Sequence, residues 1–154
     1  MKPGRFTQLY VQLVFAVKNR EAVLNAEIRG RVFEYISGVI TNLKHKSIIV
    51  NGVSDHLHIM IGLNPSISIS DTVFNLKRSS TLFINKHKLC KGAFAWQEGY
   101  GAFSYSKSQL ESVYNYILKQ EEHHRKVSFK EEYIKFLDEF AIEYEPKYLF
   151  DFLE

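Results

Sequence analysis

A chain of 154 residues and 18.0 kDa has the size of one ordinary domain, and its 45% hydrophobic and 24% charged residues exclude disorder for the bulk of it. It has no apolar run near the roughly 20 residues of a membrane span, no apolar stretch around Met1-Lys2-Pro3-Gly4-Arg5 to make a secretory signal, and one cysteine, Cys90, so a cytoplasmic single domain over 1–154 without membrane contact is expected. The net charge of +3 splits into a basic body, 13 Lys/Arg against 5 Asp/Glu over residues 1–91, and an acidic remainder, 7 against 12 over 92–154, which suits a polyanion partner or simply two solvated faces.

Tyr10–Val17 is rich in β-branched and aromatic residues and predicts a strand. Asn25 stands where a helix cap belongs, and Ile28, Val32, Tyr35, Ile36, Val39, Ile40 and Leu43 follow helical spacing behind it. Ser47–Val53 and Asp55–Leu63 predict two further strands, the second ended by Pro65. Ser70 is the expected cap of a second helix running to about His87. Ala93–Gln97 and Ala102–Tyr105 predict short strands around Gly99 and Gly101. Ser106-Lys-Ser-Gln109 and Ser128-Phe-Lys-Glu131 have capping-box form and open a third helix to about His124 and a fourth to about Phe140. The tail from about 141 is weakly patterned. The first six elements follow the split βαβ order, so the expected fold is α+β: a ferredoxin-like antiparallel sheet with helices mainly on one face and a further helix near the C-terminus. That architecture hosts many functions, so the function must be sought in the side chains.

His56 and His58 are at i and i+2 of a strand and therefore point to one face, while Leu57, Ile59 and Ile61 point to the other. Two neutral imidazoles on one face are candidate ligands for a divalent ion, or two surface histidines. On the third helix Tyr116 and Gln120 are one turn apart on one face. A hydroxyl beside an amide oxygen offers a nucleophile and a third ligand. Tyr114 is the rival nucleophile but has Leu118, not a glutamine, four residues on. His123 and His124 are expected to satisfy the helix C-terminus. Asp55 is placed to orient one imidazole from behind, subject to the alternation of strand side chains.

Asp55-His56-Leu57-His58 resembles the HUH motif (histidine, hydrophobic, histidine), and Tyr116-Ile-Leu-Lys-Gln120 resembles the catalytic helix of single-tyrosine HUH transposases, the enzymes of the simplest bacterial insertion sequences, the IS-two-hundred-like family. Trp96-Gln97-Glu98-Gly99-Tyr100, Phe103-Ser104 and Val14-Phe15-Ala16-Val17-Lys18 are similar to the family as well, and the resemblance runs over roughly residues 6–150. It implies a DNA transposase that cleaves and rejoins single-stranded hairpin ends through a 5′-phosphotyrosine on Tyr116. It implies Mg²⁺ or Mn²⁺ on His56, His58 and Gln120, and a homodimer in which the Tyr116 helix serves the His pair of the partner chain. Lys77, Arg78, Ser79 and Lys86, with Lys88 and Lys91, are expected to contact phosphates. Three alternatives remain open at this point: a domesticated nickase of repeat hairpins with the same chemistry, a non-catalytic ferredoxin-like nucleic-acid-binding module, and a metal-dependent hydrolase that uses activated water and leaves no adduct.

Overall fold

The structure, a computed structural model, describes residues 3–19 and 23–152. Met1 and Lys2 of the N-terminal reading lie outside the described residues. The elements run β1 (Tyr10–Ala16), α1 (Ala26–Asn42), β2 (Lys46–Gly52), β3 (His56–Gly62), α2 (Ile69–Lys86), β4 (Gly101–Tyr105), α3 (Leu110–Leu118), α4 (Gln120–His123) and α5 (Phe129–Glu139). The sheet is antiparallel throughout, in the order β2-β3-β1-β4. This is the sheet of the split βαβ fold.

Alternation along β1 and β3 divides the core in two. Leu13, Phe15, Leu57, Ile59 and Ile61 face the two long helices, whose buried residues include Val32, Ile36, Ile40, Leu76 and Ile84. The ring of Phe15 meets Trp96 edge-on at 4.8 Å on this side, and the Nζ of Lys77 of α2 lies 5.6 Å from the Phe15 centroid. The opposite face carries His56, His58, Val14 and Gln12, and the shorter C-terminal helices cover it. Phe129 of α5 stacks on His56 and Phe136 stacks on Phe103. The tail folds back over α5: Phe150 packs on Phe129 and Tyr133, and the Asp151 amide donates to Gln97 Oε1 at 2.6 Å.

Two local expectations shift. The cap of α2 is Ser68, whose Oγ accepts from the Asp71 amide at 3.0 Å; Ser70 lies inside the first turn. Ala93–Gln97 forms no strand, only the isolated bridge of Val17 with Trp96. Its backbone is taken by a side chain instead: Asn85 accepts from the Phe94 amide at 2.8 Å and donates to the Phe94 carbonyl at 3.1 Å. Asn25 holds the N-cap position of α1 without a side-chain bond to the first turn.

The connection between β2 and β3 is tight, because Gly52 sits beside the start of the histidine strand. A Cβ there would meet the His56 carbonyl oxygen and come within 2.8 Å of Leu57 Cδ2. Gly52→Ala is therefore expected to lower stability by about 1–3 kcal/mol, the usual cost of overpacking, measured as a drop in the urea midpoint.

Candidate active site

The floor of the site is strand register. Val14 pairs with His58 and Ala16 with His56 across β1–β3, and Asn51 of β2 pairs with His58 on the other side. Residues paired in this way point to the same face. His56, His58 and Gln12 are fully buried there.

Asn51 also fixes the roof. Its Nδ2 donates to the carbonyls of Ile117 at 2.8 Å and Leu118 at 3.1 Å. In an unbroken helix those carbonyls would accept from amides four residues on. The helix instead breaks at Lys119, between α3 and α4. Tyr116 lies just before the break and Gln120 just after it, both over the His pair. The helix bearing Tyr116 is thus docked on the sheet of its own chain. The arrangement expected from the resemblance, with Tyr116 serving a partner chain's histidines, is not the one this chain adopts. The capping box of Ser106 and Gln109 makes the connection from β4 a short turn that returns the helix to its own sheet.

α5 supplies the centre. Ser128 caps it, its Oγ accepting from the Glu131 amide at 3.2 Å, and its inner face presents Phe129, Glu132, Tyr133 and Leu137. Glu132 is 3% exposed and enters the group of histidines. Its Oε1 lies 2.9 Å from His58 Nε2, 3.2 Å from His124 Nε2 and 3.4 Å from His56 Nε2. Its Oε2 accepts from the Tyr116 hydroxyl and from Gln120 Nε2, the latter at 3.1 Å. His123 Nε2 lies 3.2 Å from the Tyr116 hydroxyl.

The far side of each central ring is also engaged. His56 Nδ1 lies 2.8 Å from Asp55 Oδ1, His58 Nδ1 2.7 Å from Gln12 Oε1, and His124 Nδ1 2.8 Å from the Val127 carbonyl. All three partners are acceptors, so all three rings carry hydrogen on Nδ1 and turn Nε2 toward Glu132. The tautomers follow from the partners rather than from observed protons.

Burial would raise the Glu132 carboxyl, but the charge of His58 and the bonds from His124, His56 and His58 outweigh it and hold the group far below the usual carboxylate range. Burial pushes the Tyr116 hydroxyl far up, and the adjacent Glu132 carboxylate adds to the effect. Burial favours neutral His56, yet Asp55 and Glu132 together raise it. His58 is lowered by burial against the pull of Glu132.

The donor set fits a divalent ion. His56, His58, His124 and Glu132 present ligand atoms all within 4.8 Å of one another. Among the described buried side-chain polar atoms, Gln120 Oε1 has no hydrogen-bond partner. A buried acceptor left bare costs about 1–3 kcal/mol, which a ligand bond would offset. Beside this group opens a cleft of about 740 Å³ whose lining includes Gln12, Tyr105, Tyr116, His123, Glu132 and Phe136.

The family model described as "Transposase IS200 like" matches residues 5–120. The chain belongs to the IS200-like transposase family. A search among curated proteins returns no match. Among solved structures, a Deinococcus radiodurans R1 protein assigned as a transposase is 22% identical, with a TM-score of 0.59, over 78% of this chain and 96% of that one. A REP-associated tyrosine transposase bound to a REP hairpin is 14% identical, with a TM-score of 0.59, over 82% of this chain and 76% of that one. At these identities the likeness establishes the fold, an α+β fold with an antiparallel sheet.

For this member of the IS200-like family, the structure brings four sequence-selected residues together: His56, His58, Tyr116 and Gln120. Asp55 joins them, because it precedes the strand and is not bound by its alternation. His124 and Glu132 complete the group. His124 was assigned to the helix terminus, and Glu132 was not singled out. The available signal was a charged residue among Phe129, Tyr133, Phe136 and Leu137 on the apolar side of a helix. Gln12, a polar residue inside Tyr10–Ala16, carried a similar signal.

The residues expected to touch phosphates lie elsewhere. α2 packs on the sheet face opposite the site. Arg78 and Lys86 are exposed there and Ser79 is half-buried. Lys77 is a correction: its Nζ donates to the carbonyls of Gln97 and Gly99, both at 2.7 Å. Neighbours one apart on a helix point in different directions, and Lys77 is on the inward side.

Burial pushes the Lys77 ammonium down to about 8, against the pull of Glu98. Its unfolded value is near 10.5. Between those values the unfolded chain holds more protons, so stability from this residue rises with pH through that window. Relative to Lys77→Met, the wild-type urea midpoint is therefore expected to rise from about pH 8 to about pH 10. Affinity for single-stranded DNA is expected to be the same in both proteins.

Proposed function

We propose that this transposase cleaves and rejoins single-stranded DNA with Tyr116 as nucleophile, through a 5′-phosphotyrosine, at the HUH pair of its own chain. The observation that carries the reading is the meeting of Tyr116, Gln120, His56, His58 and His124 on the one buried carboxylate of Glu132. A nucleic-acid-binding module has no need to bury that set beneath a cleft.

The chain's own groups account for the chemistry. The Tyr116 oxygen attacks the phosphorus, the P–O3′ bond breaks, and a 3′-hydroxyl leaves. Burial makes a free phenolate costly, so the proton must move as the bond forms. Glu132 Oε2 accepts the Tyr116 hydrogen bond and is placed to take that proton, which returns to the leaving O3′. The reverse step, with a different 3′-hydroxyl, rejoins new ends at no cost in phosphodiester bonds. His56, His58 and Gln120, joined by His124 and Glu132 Oε1, would hold the Mg²⁺ or Mn²⁺ ion. When bound, that ion supplies charge neutralisation at the scissile phosphate.

Single-stranded DNA with hairpin ends is the proposed partner, supported by the hairpin bound to the REP-associated relative. That same neighbour supports the second reading, a repeat-hairpin nickase of identical chemistry. Arg78, Ser79 and Lys86 would serve a strand that passes around the sheet edge. In a homodimer each chain would bring a complete site, since α3 is held on its own sheet by Asn51. No helix among the described residues is long and apolar enough to cross a membrane.

The deciding experiment incubates the protein with labelled single-stranded hairpin DNA and Mn²⁺ and looks for a covalent protein–DNA adduct. Wild type and Tyr114→Phe should form it, and Tyr116→Phe should fold and bind DNA without forming it. An adduct with Tyr116→Phe removes the mechanism, and cleavage without an adduct in wild type favours activated water. Mn²⁺ should raise the melting temperature of wild type but not of His56→Ala or His58→Ala.

The placement of Tyr116 has its own test. A Tyr116→Phe chain and a His56→Ala chain are mixed under conditions of subunit exchange. With sites complete in each chain every site keeps one lesion, so no activity should return. Recovered activity would show sites shared between chains.

A further inference from the structure

We propose that Gln12 is a positioning residue: held by Tyr105, its amide commits His58 to the Nδ1–H tautomer and so aims His58 Nε2 at the metal position. The inference rests on the metal reading above and adds what that reading leaves open, namely what sets the second histidine.

His56 and His124 are set by groups whose character is fixed. The Asp55 carboxylate and the Val127 carbonyl can only accept. His58 differs. Its Nδ1 faces an amide, and an amide offers an acceptor at one corner and a donor at the other. With Oε1 toward the ring, at 2.7 Å, Nδ1 carries the hydrogen and Nε2 is a lone pair. With the amide turned over, Nδ1 would be the acceptor, Nε2 would carry the hydrogen, and His58 could not be a ligand through that atom. The choice made by one buried side chain therefore decides whether the HUH pair is two ligands or one.

Gln12 is fully buried, so no solvent contact settles its orientation. Tyr105 settles it. Gln12 Nε2 donates to the Tyr105 hydroxyl at 2.8 Å. The hydroxyl is half-buried and also lines the cleft. While it accepts from the amide, its own hydrogen is directed away from Gln12, toward the cleft. Gln12 and Tyr105 come from paired strands, with Gln12 opposite Phe103 and Tyr10 opposite Tyr105. Strand register therefore holds the relay in place, and it reaches from the cleft through Tyr105 and Gln12 to His58. Partners of this kind behind a ligating histidine typically change metal affinity 10–100-fold when removed.

The test uses the full chain with His58 identified in ¹⁵N-labelled, metal-free protein, where imidazole nitrogen shifts report the tautomer directly. Wild type should show His58 with hydrogen on Nδ1. Gln12→Met, of similar length and without an acceptor, should lose that preference and bind Mn²⁺ about 10-fold or more weakly by calorimetry. Gln12→Glu keeps an acceptor toward Nδ1 and should restore both the tautomer and most of the Mn²⁺ affinity. Tyr105→Phe frees the amide to turn and should give a mixture of His58 tautomers. If Gln12→Met does not fold, Gln12→Glu and Tyr105→Phe carry the test. A His58 that carries hydrogen on Nε2 in wild type, or that keeps Nδ1–H in Gln12→Met or without change in Tyr105→Phe, overturns the inference. So does a Gln12→Glu protein that folds but loses the Nδ1–H tautomer. Wild type that binds no Mn²⁺ overturns the metal reading instead, and the tautomer measurement still decides the role of Gln12.

Discussion

Three imidazoles aimed by their back sides at one buried carboxylate are the constraint on which the rest of this structure depends. Asp55, Gln12 and the Val127 carbonyl each occupy an Nδ1, so three Nε2 atoms and Glu132 Oε1 share one small volume. Lone pairs and a carboxylate do not attract one another. They are stable together only with positive charge among them, whether a proton on a ring or a divalent ion. The raised His56 is the protein's own supply of that charge. Burying Glu132 without it would cost several kcal/mol, and a 154-residue domain has a net stability of only about 5–15 kcal/mol to lose.

The chain meets that constraint with short segments rather than long helices. The two long helices complete an ordinary apolar core with one face of the sheet. The other face carries the polar pair and needs a cover that is apolar around the edge and polar at the centre. A kinked α3–α4 and the short α5 provide it. The kink matters because Tyr116 and Gln120 must both reach Glu132 from above. Asn51 makes it by taking the carbonyls of Ile117 and Leu118, and it stands beside His58 in the sheet. One side chain thus ties the strand of the ligands to the helix of the nucleophile.

Much of this was legible in the sequence, and the boundary is physical. Strand alternation is a local property, so Asp55–Leu63 showed which side His56 and His58 would take. The Tyr116–Gln120 spacing survived the helix break because both residues still face the same partner. Glu132 and Gln12 were harder. Each is a polar residue at a buried position, and a local pattern marks that as an exception without naming the partner that satisfies it. Their partners are 74 and 46 residues away in the chain. Lys77 and Arg78 read together as a cationic pair, although adjacent helix positions cannot share a face; the core neighbours Val73, Leu76 and Ser80 decided for Lys77. The choice of chain for the Tyr116 helix rested on whether a polar connection bends back, and Ser106 with Gln109 bends it back.

Charge distribution adds a final consequence for the proposed substrate. The basic body lies mostly away from the cleft, while the cleft itself is lined by Glu131, Glu132 and Glu139, with Lys135 among them. Lys135 is exposed and within 3.9 Å of Glu139, so its charge is partly spent at the surface. A phosphodiester entering such a cleft meets net negative charge where screening by water is weak. Two unit charges 4 Å apart interact by about 4 kcal/mol at the effective dielectric of a protein surface. The imidazoles and whatever cation they hold must therefore offset the acids before any phosphate can settle beside Tyr116. The cation that makes the buried carboxylate tolerable to the fold is the same charge that makes the cleft tolerable to DNA. Folding of the site and admission of its substrate then answer to one electrostatic requirement.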